Sequence, residues 1–572
     1  MANVAEKLVE MLIQAGVKRI YGVVGDSLNS ITDAVRRSKK IEWVNVRNEE
    51  AGAFAAGAEA QLSGNLAVCA GSCGPGNLHL INGLYDCHRS YAPVLAIAAH
   101  IPSSQIGTSY FQETHPERVF ADCSHYCELI SSPSQMPRTA QNAIQAALNQ
   151  RGVAVLVIPG DIALQKVEGD FPPHDLRAMR CKVRPSEDDL DELAELLNST
   201  AKCTLLCGSG CIGAHDEVIA LAEALQAPVV HALRGKEHVE WGNRYDVGMT
   251  GLIGFASGYR AMINADVLLM LGTDFPYDGF YPKKAKIVQI DSRGQNLGRR
   301  ARLDLGLLAH VRETARALLP KLNKKKSSKF LDDAVQHYAD VREELDKHVK
   351  SKSTGDKIHP QYLASLLSEL AEDDAAFTAD TGMCTVWAAR YIRMKKGRSL
   401  IGSFNHGSMA NALPQAIGAQ FENRKRQVIS FSGDGGFGML MGDMLSLVQH
   451  DLPVKVVVFN NSTLGMVKLE MQVVGVPDFG TDFKNFNFAK IAEAAGIRGF
   501  RVERPEELRD AVKAALAHNG PALLDVVTAP YELSMPPKIV AEQAWGFSLF
   551  LMKELILGNV KELFEEQPPV LR

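Results

Sequence analysis

The sequence predicts an α/β protein: three doubly wound parallel-sheet domains followed by a short C-terminal helical tail. Three observations predict it. Near-continuous apolar runs of strand length alternate with amphipathic helical stretches along most of the 572 residues. Strands apolar at every position are buried on both faces, as in parallel sheets between helical layers. Two polar breaks, Glu168 to Asp189 (EGDFPPHDLRAMRCKVRPSEDD) and Asn323 to Phe330 (NKKKSSKF), interrupt the alternation. At about 150 residues per domain, a chain of this length divides into three or four. The expected domains are 1–182, 183–334 and 335–530, with a tail over 531–572.

The elements follow in order. MANVAEKLVEMLIQAG alternates apolar and polar residues at helical spacing and lacks the basic start and unbroken apolar core of a signal peptide. PVLAIAAH and VAVLVIPG are strands of the first unit. TLLCGSG, ADVLLMLGT and AKIVQID belong to the second, and RQVISFSGDGG and VKVVVFNN to the third. No apolar run reaches the length of a membrane span. Net charge is −4, so no global basic field favours nucleic acid. The ten cysteines include no C-x-x-C pair and are read as small apolar packing residues of a reducing compartment, the cytoplasm.

One stretch carries chemistry on its face. In ISFSGDGGFGML a strand ends at Asp434, flanked by Gly433, Gly435 and Gly436, and a helix begins. Ligands of open parallel sheets sit at the carboxyl ends of strands. Asn460 and Asn461 end the next strand at the same rim. A carboxylate, an amide carbonyl and the backbone carbonyl of Thr463 at a helix start suit Mg²⁺ bridging a diphosphate. An N-capping aspartate in a polar loop is the competing reading. In the second unit, Gly208-x-Gly210-x-x-Gly213 lies between a strand and a helix, a weak dinucleotide fingerprint.

GDG followed at this interval by NN resembles the signature of thiamin-diphosphate enzymes. YGVVGDSLN, RNEEAGAFAAGAEAQLSG, AGSCGPGNLHLINGLYDCHR, HIPSSQIGTSYFQETHP, GMTGLIGF, LGTDFPYDGFYP and SFNHGSMANALPQAIGAQ resemble pyruvate oxidases, above all the membrane-associated, quinone-reducing bacterial branch. The likeness spans nearly the whole chain. It implies the thiamin-enzyme fold, with a pyrimidine-binding first domain, an FAD-binding middle domain and a diphosphate- and Mg²⁺-binding third domain.

The implied roles follow residue by residue. Glu49 hydrogen-bonds the cofactor's aminopyrimidine and primes removal of the thiazolium proton. Gly407, Ser408 and Met409 wall the cofactor, Met409 holding it bent. Asp434, Gly435 and Gly436, with the run Asn461, Ser462, Thr463, Leu464, Gly465, Met466 and Val467, hold the diphosphate; Asp434, Asn461 and Thr463 hold the metal. Glu470 handles protons, and Phe111 and Met466 line the pocket. Thr250, Gly251, Leu252, Ile253, Thr273, Asp274, Phe275, Pro276, Tyr277 and Asp291 hold FAD. Three positions depart from the pattern: Asn48 stands where histidine is common, Cys384 replaces a proline, and Met466 a phenylalanine.

The implied activity is oxidative decarboxylation of pyruvate to acetate and CO₂, with electrons passing through FAD to ubiquinone in a homotetramer. In the tail, Trp545, Leu549, Met552, Ile556, Val560 and Leu563 form one helical stripe. The resemblance makes this a lipid-binding segment, peripheral on the inner face of the cell membrane. From Ala541 to Glu566 there are five acids and two bases, a balance unlike that of helices on anionic lipid. An acetolactate synthase-type carboligase, a phosphate- and oxygen-dependent pyruvate oxidase and an inactive cofactor-binding relative remain as alternatives.

Overall fold

The protein is described by a computed structural model covering residues 2–167, 176–179, 181–530 and 532. The first sheet contains β1 (Arg19–Gly22), β2 (Glu42–Asn45), β3 (Ala67–Gly71), β4 (Val94–His100), β5 (Tyr126–Leu129) and β6 (Val153–Pro159). The second contains β7 (Cys203–Cys207), β8 (Val229–His231), β9 (Asp246–Met249), β10 (Val267–Leu271), β11 (Lys286–Asp291) and β12 (Leu305–Leu308). A small hairpin, β13 (Ser353–Thr354) and β14 (Lys357–Ile358), precedes the third. That sheet contains β15 (Ala376–Ala379), β16 (Ser399–Gly402), β17 (Val428–Gly433), β18 (Lys455–Asn460), β19 (Arg498–Val502) and β20 (Ala522–Val527). All three large sheets are parallel, and every strand-like run picked out in the sequence is a strand.

The first and third sheets share one topology, β2-β1-β3-β4-β6-β5 and β16-β15-β17-β18-β20-β19. The middle sheet runs β12-β11-β10-β7-β8-β9. In each, the order reverses beside the first strand of the unit, and the crevice there lies at the carboxyl edge.

Successive residues of each buried strand feed opposite cores. Cys69, Ala96 and Val155 enter one cluster, and Val68, Leu95 and Leu156 enter another. The first cluster continues into the third domain through Leu413, Ile417, Phe421 and Val456. Helix Glu49–Ser63 lies in that shared core, buried continuously from Ala51 to Ala60. Its alanines and glycines make this possible. A Cβ on Gly418 of helix Ala412–Glu422 would stand 2.0 Å from Ala55 O, so the two backbones touch. Full burial of each large apolar side chain in such a core contributes about 1.5–3 kcal/mol.

Helix Lys329–Ser351 spans the seam between the second and third domains, with Tyr338, Val341 and Leu345 packed beside Phe255. All ten cysteines are free, and only Cys181 is exposed, in line with a packing role. No helix among the described residues is long and apolar enough to cross a membrane. The apolar stripe of the tail lies outside the described residues.

Candidate active site

Asp434 begins helix Asp434–Leu440 at the end of β17. Its Oδ2 accepts the Ser462 N–H at 2.6 Å and its Oδ1 the Gly435 N–H at 2.9 Å. The neighbouring strand β18 is in register, Gly433 facing Phe459, so Asn461 arrives at the same rim. Asn461 Oδ1 accepts the Thr463 N–H at 3.2 Å. Thr463 is buried, and its hydroxyl donates to Thr481 O at 3.3 Å. Leu464, Phe483 and Met409 crowd Gly435, the Met409 methyl 3.6 Å from where its Cβ would be. Burial pushes the Asp434 carboxyl up to about 6, against the pull of the Ser462 and Gly435 amides.

The sequence reading missed Asp380. It follows β15, directly beside β17, where the sheet order reverses. Its Oδ1 accepts the Ala412 N–H at 2.8 Å, while Oδ2 is buried without a hydrogen-bond partner among the described residues. A Cβ on Gly436 would lie 2.6 Å from that oxygen, which explains the glycine. Burial pushes Asp380 up to about 7. The available signal was the strand–Asp–turn–helix pattern of AAFTADTG, the same grammar as at Asp434.

The raised Asp380 carboxyl gives a pH prediction. Its protonated form is favoured in the folded chain, so its stabilising effect is complete below 3.8 and lost as pH rises to about 7. The full effect is roughly 4 kcal/mol. Urea midpoints of cofactor-free protein between pH 5 and 8 are expected to fall less in Asp380→Asn than in wild type; equal slopes would refute the assignment.

Glu49 opens its helix at the carboxyl rim of the first sheet. Its Oε2 lies 2.9 Å from His79 Nδ1, and its Oε1 lies 3.0 Å from where a Cβ on Gly76 would be. Asn48, the departure from the family pattern, is the N-cap of this helix: its Oδ1 accepts the Glu50 N–H at 2.9 Å. Asp443 of the third domain accepts the Arg47 N–H at 2.8 Å and so holds the turn that presents Glu49. The partners of Glu49 and Asp434 do not overlap within one chain.

The loop carrying Gly407, Ser408 and Met409 docks on the first domain. Asn82 donates to Ser408 Oγ at 2.9 Å and contacts His406 Nε2 at 2.8 Å. Phe111 is 78% exposed, beside the Gln112–Gly74 contact at the first domain's rim. Glu470 and Val467 are exposed on helix Gly465–Val473, and Met466 packs against the third domain's core. Cys384 is buried, its sulfur 3.5 Å from the Cβ position of Gly433.

In the middle domain, the backbone at Gly208 and Gly210 touches Gly272 across the crevice between β7 and β10. Thr250 Oγ1 and Asn296 Oδ1 are buried without hydrogen-bond partners among the described residues, two polar atoms that a bound cofactor would satisfy. Asp291 ends β11, accepts the Arg293 N–H at 2.8 Å and the Asn296 amide at 3.2 Å, and is pushed up by burial. Gly251 faces the rings of Phe275 and Tyr277. Leu252, Pro276 and Tyr277 are exposed, Thr273 is buried, and Asp274 pairs with Arg299 at 3.5 Å. Arg390 of the third domain donates to Ile253 O at 2.9 Å and Gly254 O at 3.0 Å.

Comparison with known proteins accounts for this arrangement. Residues 2–119, 190–318 and 380–526 match the N-terminal TPP binding, central and C-terminal TPP binding domains of thiamine pyrophosphate enzymes. YdaP of Bacillus subtilis (strain 168) is 35% identical over 559 residues, 98% of this chain and 97% of its own. The chain belongs to the thiamine pyrophosphate enzyme family. It is 30% identical to the pyruvate oxidase of Lactiplantibacillus plantarum over 531 residues, 91% of this chain and 87% of that one. It is also 30% identical to an acetolactate synthase of Mycobacterium bovis over 542 residues, with the same two coverages. In this thiamine pyrophosphate enzyme, the Asp434 carboxylate and Asn461 amide fit a hydrated cation bridging a diphosphate. Asp380, its carboxyl pushed up by burial, lies beside Gly436 with one oxygen lacking a partner among the described residues.

Proposed function

We propose that the chain catalyses oxidative decarboxylation of pyruvate to acetate and CO₂, with Mg²⁺, thiamin diphosphate and FAD, delivering electrons to a membrane quinone such as ubiquinone. The observation that carries this reading is one helix. Met383–Tyr391 starts beside Asp380 and Asp434 and ends where Arg390 holds Ile253 and Gly254. Its nine residues span roughly 13 Å. The segment suited to a flavin is therefore tied directly to the domain suited to the thiamin diphosphate.

When bound, thiamin diphosphate supplies a nucleophilic carbon and an electron sink, and FAD accepts an electron pair. Pyruvate and water yield acetate, CO₂, two protons and two electrons, which reduce one quinone. The chain's own residues bind and orient. Asp434, Asn461 and the Thr463 carbonyl hold Mg²⁺; Gly407, Ser408 and Met409 wall the coenzyme. Glu49 of one copy moves a proton at the aminopyrimidine of a coenzyme held by Asp434 of another, so at least a dimer is required, and a homotetramer is the proposed assembly. Phe111 and Met466 line the substrate pocket and Glu470 exchanges protons at its mouth. Thr250 to Ile253, Thr273 to Tyr277 and Asp291 hold FAD. Residues 531–572 bring the cytoplasmic enzyme to lipid on the inner face of the membrane.

The equal identity to pyruvate oxidase and acetolactate synthase keeps a carboligase as the second reading. Anaerobic mixing of holoenzyme with pyruvate separates them. Bleaching of flavin absorbance supports the oxidase, and acetolactate without bleaching overturns it. Quinone, or oxygen with phosphate, then identifies the acceptor. Arg390→Met leaves the buried Gly254 carbonyl without this donor, at about 1–3 kcal/mol, and with it the half-buried Ile253 carbonyl. Purified variant is expected to retain several-fold less FAD per chain; unchanged flavin content would refute the clamp.

A further inference from the structure

Three side chains outside the coenzyme site converge where the third domain's last strand gives way to the chain that follows, beyond the point where Thr528 N–H donates to Asn460 O at 3.0 Å. Hairpin β13–β14 returns the backbone so that His359 N–H donates to Lys352 O at 3.0 Å, bringing the start of helix Pro360–Leu370 over the end of helix Lys329–Ser351. The rings of His348 and His359 thereby meet edge to face, with centroids 5.0 Å apart. Beyond β20, Thr528 pairs with Ile358 and Ala529 N–H donates to Ile358 O at 2.9 Å. That pairing delivers Glu532 to the two imidazoles. Its Oε1 lies 2.5 Å from His359 Nδ1 and its Oε2 3.9 Å from His348 Nδ1.

We propose that His348, His359 and Glu532 form a binding site for a borderline divalent transition-metal ion, of which Zn²⁺ is the type. The ligand atoms all lie within 4.8 Å of one another, and no other histidine, cysteine or carboxylate group among the described residues is so gathered. Two imidazole nitrogens and one carboxylate select zinc-like ions over Mg²⁺ or Ca²⁺, which prefer oxygen donors. Both histidines present Nδ1 to the carboxylate. The other nitrogen of His359 lies 3.4 Å from Thr354 Oγ1, a partner for its N–H when Nδ1 exchanges its contact with Glu532 Oε1 for the ion. Gln361 donates to Glu532 Oε2 at 2.9 Å and orients the carboxylate. His359 is buried, whereas the His348 side chain is 31% exposed and gives the ion a path from solvent. A bound ion would fasten residue 532, the origin of the last forty residues, to the ends of two helices of the third domain.

The test is zinc titration of the full chain by calorimetry, with thiamin diphosphate and saturating Mg²⁺ present so that the Asp434 site is occupied. Bound zinc is also counted after dialysis. One zinc per chain with a micromolar or tighter Kd is expected. His348→Ala and Glu532→Gln are each expected to weaken it at least tenfold, while Cys181→Ser, removing the exposed thiol, leaves it unchanged. Circular dichroism and retained pyruvate turnover show that the variants are folded. Zinc binding of equal affinity in His348→Ala, loss of binding in Cys181→Ser, or no binding below about 100 μM in wild type would each overturn the proposal.

Discussion

Glu49→Gln is expected to slow hydrogen–deuterium exchange at the thiazolium carbon, and turnover with it, by about 10²–10⁴-fold, the range for a positioned acid–base group. The side chain is nearly buried at the start of helix Glu49–Ser63 and faces His79 Nδ1 at 2.9 Å. Glutamine preserves its volume and its hydrogen-bonding reach, so the helix and its Asn48 cap remain. What is lost is a carboxyl that can give and take a proton. Coenzyme binding is expected to change far less, because the proposed diphosphate site is at Asp434 in the other domain. Exchange followed by NMR after acid quench, alongside a coenzyme binding isotherm, separates the two effects. Near-normal exchange would refute the role of Glu49. A parallel collapse of binding would show that Glu49 is chiefly an anchor.

Asp434→Ala is expected to have the complementary signature. Removal of partners that merely orient metal ligands typically costs 10–100-fold in metal affinity, and loss of a ligand carboxylate should exceed about 100-fold. Mg²⁺-dependent binding of thiamin diphosphate, read by protein fluorescence, is the measurement. The variant is expected to fold. Burial pushes this carboxyl up to about 6, so the folded chain without metal gains nothing from its charge. Asp434→Asn, which keeps the shape and one acceptor, is expected to recover part of the binding at high Mg²⁺. Wild-type affinity in Asp434→Ala would place the metal elsewhere and remove the basis for the diphosphate site.

The legible parts of the site share one property: their signal is local. Asp434 and Asn461 each end an apolar run, and the parallel sheet then brings neighbouring strand ends to one rim. Gly208-x-Gly210 reads in the sequence as a weak dinucleotide fingerprint, and in the structure its backbone lies against Gly272. Asp380 carries the same local signal in AAFTADTG, whereas Asp443, His79 and Arg390 lack one. Asp443 matters because Arg47 N–H donates to it from another domain, and Arg390 because it meets Ile253 and Gly254. In the sequence Asn48 is a departure from the family pattern; in the structure it is a helix cap.

The amino-acid order alone determined the class of fold, the placement of the strands picked out in it, and the strand-terminal carboxylate with its asparagine. Hydrophobic periodicity and strand-end chemistry operate over a few residues, so they can be read without coordinates. Only the tertiary structure decided that the first and third sheets share one strand order, and that helix Glu49–Ser63 lies against Ala412–Glu422 in a common core. It alone set the Asp380 oxygen against Gly436, and His348, His359 and Glu532 within reach of one ion. These are contacts between side chains and backbones distant in sequence. They exist because burial and backbone pairing bring the segments together, and no local pattern encodes which distant segment will arrive.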